Sequence, residues 1–244
     1  MRTAVLVPTY QERANIEDLL RAIRAKAPEV DVVVIDDASP DGTADVAEAV
    51  GSELGQVEVL RRAGKDGLGN AYRAGFAHAL AQGYEVLVTF DADFSHEPDA
   101  IPVLLGKLED DGCDLVIGSR YVPGGSTPNW PAHRRALSRY GNRYTGWVLG
   151  LDVRDITSGF RAYRADTLLA IEYATTRASG YAFMTELAVR IHALGATIGE
   201  VAIEFRDRER GTSKMSGRII AESMVRVTWW GVRGRLRRRR PTRP

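Results

Sequence analysis

The run Val86–His96, VLVTFDADFSH, decides how the rest of this 244-residue chain is read. Val86, Leu87, Val88, Thr89 and Phe90 are apolar or β-branched without polar alternation, the pattern of a strand buried on both faces of a sheet. Asp91 and Asp93 follow directly, separated by the small residue Ala92. Two carboxylates therefore emerge just beyond the strand's carboxyl end, where open α/β sheets bind ligands. So close a pair repels itself unless positive charge intervenes, and a hard divalent cation holding a diphosphate meets that need. The plainer reading, an acidic turn after a strand, stands beside it, because short acidic motifs recur by chance.

On either side of this run, strand-like and helix-like stretches alternate. Residues 3–7 (TAVLV) read as a strand stopped at Pro8, 31–35 (DVVVI) as a second ending in Asp36-Asp37, and 57–60 as a third. Residues 114–118, a stretch entered through the turn 155–163, and 197–205 supply the later strands. Helices are expected from Asn15, as cap, with Ile16, Leu19, Leu20 and Ile23 inward, and over 43–50, from the loop 64–69 to Ala79, 98–108, 132–149 and 183–194. The alternation predicts an α/β fold with a mostly parallel central sheet and helices on both faces. The glycine-rich loop GKDGLG has neither the dinucleotide nor the Walker spacing, so it reads as a tight turn packing the next helix.

A chain this long builds one large α/β domain, and 44% apolar with 27% charged residues is ordinary globular usage. No run reaches the roughly 18 apolar residues of a membrane span. The N-terminus passes from Met1-Arg2 straight into a strand, without the features of a signal peptide, which makes a cytoplasmic location the expectation. Cys113, the single cysteine, has no intrachain partner for a disulfide and reads as a small buried residue. Net charge is only +1, but residues 231–244 hold seven arginines and no acid, leaving 26 basic and 32 acidic residues elsewhere. An acidic body argues against nucleic acid as the ligand, and a basic tail suits an anionic membrane surface.

Residues 132–149 interleave Arg134, Arg135, Arg139 and Arg143 with Tyr140, Tyr144, Trp147 and Leu149. That mixture suits a helix lying at a membrane interface, and equally a packed helix with a solvated face. Glu186 reads as either a catalytic group or a helix-surface charge. Beyond Phe205, RDRERGTSKMSG is too polar to pack, and a mobile lid over about 206–217 is expected, its Arg206, Arg208, Arg210 and Lys214 able to close over phosphates. An amphipathic interfacial helix over 216–232 with Trp229 and Trp230, then a basic tail over 233–244, complete the organisation after a catalytic domain of residues 1–215.

With these pieces placed, VPTYQERANI, VVVIDDASPDGT, GLGNAYRAGF, DADFSH, GSRYVPGG, NWP, DITSGFRAYR and RERGTSKMSG occur in an order that resembles family 2 inverting glycosyltransferases of the GT-A fold. Within them the chain resembles the polyprenol (dolichol) monophosphate mannose synthases, especially those of the actinobacterial type. The resemblance implies a nucleotide-diphospho-sugar transferase that moves mannose from GDP-mannose to polyprenyl phosphate at the cytoplasmic face of the membrane. It implies that Pro8, Tyr10, Glu12, Ile35 and Asp37 hold the guanine nucleotide, and that Asp91, Ala92 and Asp93 form the metal and diphosphate motif, with Mg or Mn as the cofactor. Arg120, Arg208 and Lys214 match cationic residues on the donor and acceptor phosphates, and Arg134 and Ser138 match positions near the acceptor phosphate. Some relatives place a Gln metal ligand where this chain has Ser95. Relatives with transmembrane helices or a separate integral membrane protein also exist; here a partner or electrostatic docking through the tail would substitute.

The chemistry agrees independently. A lipid phosphate is already an anion at neutral pH, so attack on an anomeric carbon needs no strong general base, and the four histidines form no base cluster in the sequence. Three rivals remain: a polyprenyl-phosphate glucosyltransferase using UDP-glucose, a non-catalytic membrane adaptor of the same fold, and a sugar-1-phosphate nucleotidyltransferase. The last lacks its glycine-rich loop after the first strand.

Overall fold

The structure, a computed structural model, describes residues 1–178, 180, 182–207 and 227–231. Its strands are β1 (Thr3–Thr9), β2 (Asp31–Asp36), β3 (Val57–Arg61), β4 (Val86–Thr89), β5 (Leu115–Ser119), β6 (Arg161–Arg164) and β7 (Ile198–Ala202). They form one sheet in the order β3-β2-β1-β4-β6-β5-β7. Every pairing is parallel except those of β6, which runs antiparallel between β4 and β5. The start of β6 therefore lies at the same edge as the carboxyl ends of its neighbours.

The helices that lie wholly within the described residues are α1 (Arg13–Lys26), α2 (Thr43–Leu54), α3 (Leu68–Ala81), α4 (Ala100–Asp110), α5 (Ala132–Leu149), α6 (Ala165–Ala170) and α7 (Ala182–Ala193). Alternate side chains of each strand enter opposite cores. Val86, Val88 and Phe90 face the core shared with Ile16, Leu19 and Leu20 of α1 and Leu104 of α4. Leu87 faces the other, built on Tyr72 and Phe76 of α3 and Phe183 and Leu187 of α7. Full burial of Leu87 contributes about 1.5–3 kcal/mol.

Most expected elements are present, with four differences. Pro8 does not stop β1, which goes on pairing with β2 through Pro8 and Thr9. Asn15 does not cap α1: Glu12 is the cap residue, and Asn15, inside the first turn and buried, donates Nδ2 to Glu12 Oε2 at 2.8 Å. The stretch after β6 is helical as α6, followed by a 3-10 turn at Tyr173–Thr175, neither foreseen. The last strand stops at Ala202, although His96 and Phe205 still form an isolated bridge. The loop before α3 is the turn expected, with Gly67 at φ +102°, a left-handed conformation that glycine adopts without strain. Most of the expected lid, of the helix over 216–232 and the whole tail over 233–244 lie outside the described residues.

Candidate active site

Across the carboxyl edge, β2, β1, β4 and β5 deliver the expected residues in spatial order. Pro8 pairs in register with Ile35, and Thr9 with Asp36. Asp36 is fully engaged: Thr9 Oγ1 donates to it at 2.9 Å, and Ser39 donates its N–H at 2.9 Å and its hydroxyl at 2.6 Å. It braces the β2 turn, which leaves Asp37 as the carboxylate of the expected nucleotide pocket. Burial pushes the Asp37 carboxyl above its ordinary range, against the opposing pull of the Arg62 guanidinium that bridges Asp37 and Asp66. Tyr10 carries the Lys65 ammonium 3.9 Å over its ring, which brings the glycine-rich loop above the same end of the sheet. Ile35, expected to line the pocket, is fully buried among the residues under α3, so its side chain supports the floor instead of facing the cleft.

Beyond β4, Phe90 keeps its strand bond to Leu6 O at 3.0 Å, and the chain then turns. Asp93 is buried and accepts Ser95 N–H at 3.0 Å. Asp91 is partly exposed, with its Oδ2 3.7 Å from His96 Nε2. A Cβ on Gly159 would lie 3.5 Å from that same oxygen, so the glycine leaves room beside the carboxylate. Among the described residues no three metal-ligating side chains cluster. Two carboxylates suit Mg or Mn bound together with substrate phosphates and water, which is how such cations are commonly held at diphosphates.

The expected turn over 155–163 frames the other half of the site, a role that sequence reasoning missed. The Arg120 backbone N–H and Nε donate to Asp155 Oδ2 at 2.9 and 2.7 Å, and Nη2 to Oδ1 at 2.6 Å. Burial would raise the Asp155 carboxyl, but the charge and hydrogen bonds of Arg120 outweigh it and hold it below its ordinary value. Thr157 Oγ1 accepts from Arg120 Nη2 at 2.9 Å and from Asn142 Nδ2 of α5 at 3.1 Å. The loop is fastened from behind by Arg161, fully buried, which donates to Ser158 O and Met184 O, each at 2.7 Å, and to Ile156 O. Glu200 of β7 holds the N–H groups of Arg154 and Asp155 at 2.9 Å. The visible signal was DITSGFR itself: an acid and a hydroxyl two residues apart, before a glycine, with an arginine in the buried strand.

Two aromatic rings gather Arg120, Arg134 and Ser138, the trio expected near the acceptor phosphate. The Trp130 ring has Arg134 Cζ at 3.9 Å and Arg120 Cζ at 5.5 Å from its centroid. Tyr121 has Arg120 Cζ at 5.3 Å and donates its hydroxyl to Ser138 Oγ at 2.6 Å. Arg134 Nη1 also meets Asp207. Glu186 proves to be a brace: its carboxylate accepts the N–H groups of Arg177 and Ala178 at 3.0 and 2.8 Å and pairs with Arg190. Arg208, Arg210 and Lys214 lie outside the described residues.

The profile of glycosyl transferase family 2 matches residues 4–171. The chain belongs to that family. Over 235 residues it is 49% identical to the undecaprenyl-phosphate mannosyltransferase of Micrococcus luteus, covering 96% of both chains. Over 240 residues it is 45% identical to the polyprenol monophosphomannose synthase of Mycolicibacterium smegmatis, covering 98% of this chain and 90% of that one. Among solved structures, glucosyl-3-phosphoglycerate synthase of Mycobacterium tuberculosis, crystallised with Mn2+, UDP and glucosyl-3-phosphoglycerate, superposes with a TM-score of 0.68 at 22% identity, covering 93% of this chain and 80% of that one. That likeness is one of fold, and it makes this family 2 glycosyltransferase a GT-A protein as expected.

Proposed function

We propose that this glycosyltransferase moves mannose from GDP-mannose to the phosphate of a polyprenol monophosphate with inversion, giving polyprenyl phosphate mannose and GDP. The observation that carries the reading is the nearly full-length similarity to two relatives, both named for mannose and a polyprenyl acceptor. The geometry supports it. An acceptor phosphate oxygen attacks the anomeric carbon, a new carbon–oxygen bond forms, and the bond to the diphosphate breaks with its electron pair leaving on GDP. The attacking group is already anionic, so a base is unnecessary, and His96, the histidine beside Asp91, is walled by Phe90, Phe160 and Phe205.

In this reading Pro8, Tyr10, Glu12 and Asp37 hold the guanine nucleotide, with Ile35 beneath them. Asp91 and Asp93 would hold a Mg or Mn ion, which would supply positive charge to the departing diphosphate. Arg120 stabilises phosphate charge from a buried, fixed position, and Arg208 and Lys214 add charge from the segment that follows Asp207. Arg134 and Ser138 receive the acceptor phosphate.

No helix among the described residues is long and apolar enough to cross a membrane. We place the enzyme peripherally on the inner face of the cell membrane. The reading is supported by α5, which exposes Leu137, Tyr140 and Trp147 amid Arg135, Arg139 and Arg143. The deciding experiment supplies labelled GDP-mannose, a short polyprenyl phosphate and Mg or Mn. Label is expected in the organic phase; label entering that phase from UDP-glucose instead would establish the glucosyltransferase.

A further inference from the structure

The expected acceptor end of the cleft already holds an anion, and it belongs to the chain itself. Asp207 Oδ1 accepts from Trp130 Nε1 at 3.0 Å and from Arg134 Nη1 at 2.8 Å, while Oδ2 lies 3.1 Å from the same Nη1. Trp130 is 5% exposed, and its indole N–H, its one polar atom, points at this carboxylate. The ring is fixed by the edge of Phe205, 5.4 Å away, and by the Arg134 guanidinium stacked 3.9 Å from its centroid. An indole N–H and a guanidinium converging on one carboxylate make an oxyanion cradle, and nothing in that geometry distinguishes a carboxylate from a phosphate.

We propose that Trp130 and Arg134 form the cradle for the phosphate of the lipid acceptor, and that Asp207 occupies it until that phosphate displaces it. The proposal rests on the prenyl-phosphate reading above and adds a ligand, Trp130, and a competitor, Asp207. A phosphate monoester wins the exchange because it carries more charge and three acceptor oxygens, against the one charge and two oxygens of Asp207. Ser138, one turn further along α5, offers its hydroxyl on the same side as Arg134. The competing pair is weak enough to exchange, since the Arg134 and Asp207 side chains are 38% and 43% exposed.

The displaced residue is tied to the opposite end of the site. Asp207 follows Arg206, whose N–H donates to Ser95 O at 3.1 Å and whose guanidinium pairs with Glu97 at 3.0 Å, both residues of the turn that carries Asp91 and Asp93. Phe205 bridges to His96 in the same turn. Residues 204–207 thus span from the diphosphate motif to the acceptor cradle, and release of Asp207 is felt at a segment in contact with both.

The test uses the full chain and two variants. Asp207→Asn removes the competing charge at constant size. Acceptor KM should fall about two- to fivefold, the range set by an exposed ion pair, with donor KM unchanged. Trp130→Phe keeps the ring and deletes the N–H, and should raise acceptor KM with donor KM unchanged. Calorimetric titration of a short, water-soluble prenyl phosphate without donor should show the same two shifts, so it reports on the cradle even if the transferred sugar is not mannose. An Asp207→Asn acceptor KM that is unchanged or raised would overturn the proposal, a rise meaning that Asp207 merely positions Arg134. Mannose transfer by the wild type together with prenyl phosphate binding left unchanged by Trp130→Phe would overturn the cradle while leaving the donor and acceptor reading in place. Absence of any mannosyl transfer together with intact, Trp130-dependent prenyl phosphate binding would instead remove the donor assignment.

Discussion

Arg120 and Asp155 meet through three hydrogen bonds, from the arginine's backbone N–H, Nε and Nη2, at 2.6 to 2.9 Å in a site from which water is nearly excluded. Removing one partner of such a pair strands a buried charge and costs about 3–5 kcal/mol. Asp155→Asn should therefore lower the urea midpoint substantially. The pH dependence has a definite sign. Asp155 is held below its usual 3.8, so its contribution is complete above that value and is lost as pH falls through the lower folded value. Wild-type protein should lose stability below pH 3.8, and the variant should lack that part of the acid limb.

Asp93→Asn should abolish most transfer while leaving the fold intact. The amide oxygen can still accept Ser95 N–H, but the charge proposed to hold the cation is gone, and the expected loss is about a hundredfold or more in kcat. Steady-state transfer alongside a thermal melt checks both halves. A variant with wild-type turnover would sink the cation assignment.

Arg62→Gln should move the acid limb of GDP binding to higher pH. Burial raises the Asp37 carboxyl and Arg62 opposes that rise, so removing the guanidinium lets it climb further. Nucleotide affinity that needs the ionised carboxylate is then lost earlier as pH falls, and matches wild type in alkaline buffer. Titrations of GDP across pH would show it. Parallel curves without displacement would exclude Asp37 from the pocket.

Replacing Leu137 and Trp147 together with Glu should release the protein from anionic vesicles. These side chains are 59% and 70% exposed on a helix rich in arginine, and apolar insertion adds to roughly 1 kcal/mol of attraction per basic residue near such a surface. Sedimentation with vesicles at two salt concentrations separates the apolar from the electrostatic share. Truncation of 231–244 should weaken the salt-sensitive share, and sedimentation unchanged by that cut would refute a role for the tail.

The parallel frame was legible because β1, β2 and β4 are short apolar runs that lead into Pro8-Thr9, Asp36 and Asp91, and each run's length and flanking residues carry their own meaning. The same is true of α5, whose predicted span of 132–149 coincides with the helix. What resisted reading depends on contacts between distant residues. Nothing local says that β6 runs backwards, that Asn15 lies inside α1, or that Asp155 belongs to Arg120, 35 residues away. Nor does an exposed-looking sequence such as FRD announce that its aspartate closes on Trp130, since that contact exists only once Phe205 is pinned to the turn after β4. Ile35 shows the converse: its position along the chain is beside the proposed pocket, while the alternation of the strand turns its side chain into the core.

The antiparallel strand β6 sets an order of events during synthesis. It is made after β5 yet lies between β4 and β5, so the two strands that lead into Asp91 and Arg120 stand two strand spacings apart, about 10 Å. Until Arg161–Arg164 leaves the ribosome, that slot is empty: β4 exposes one unpaired edge, and β5, whose other neighbour β7 is made later still, exposes both. The nascent chain can complete its nucleotide half from the first 90 or so residues, but the two halves acquire their working separation only when one late, short strand is slotted in.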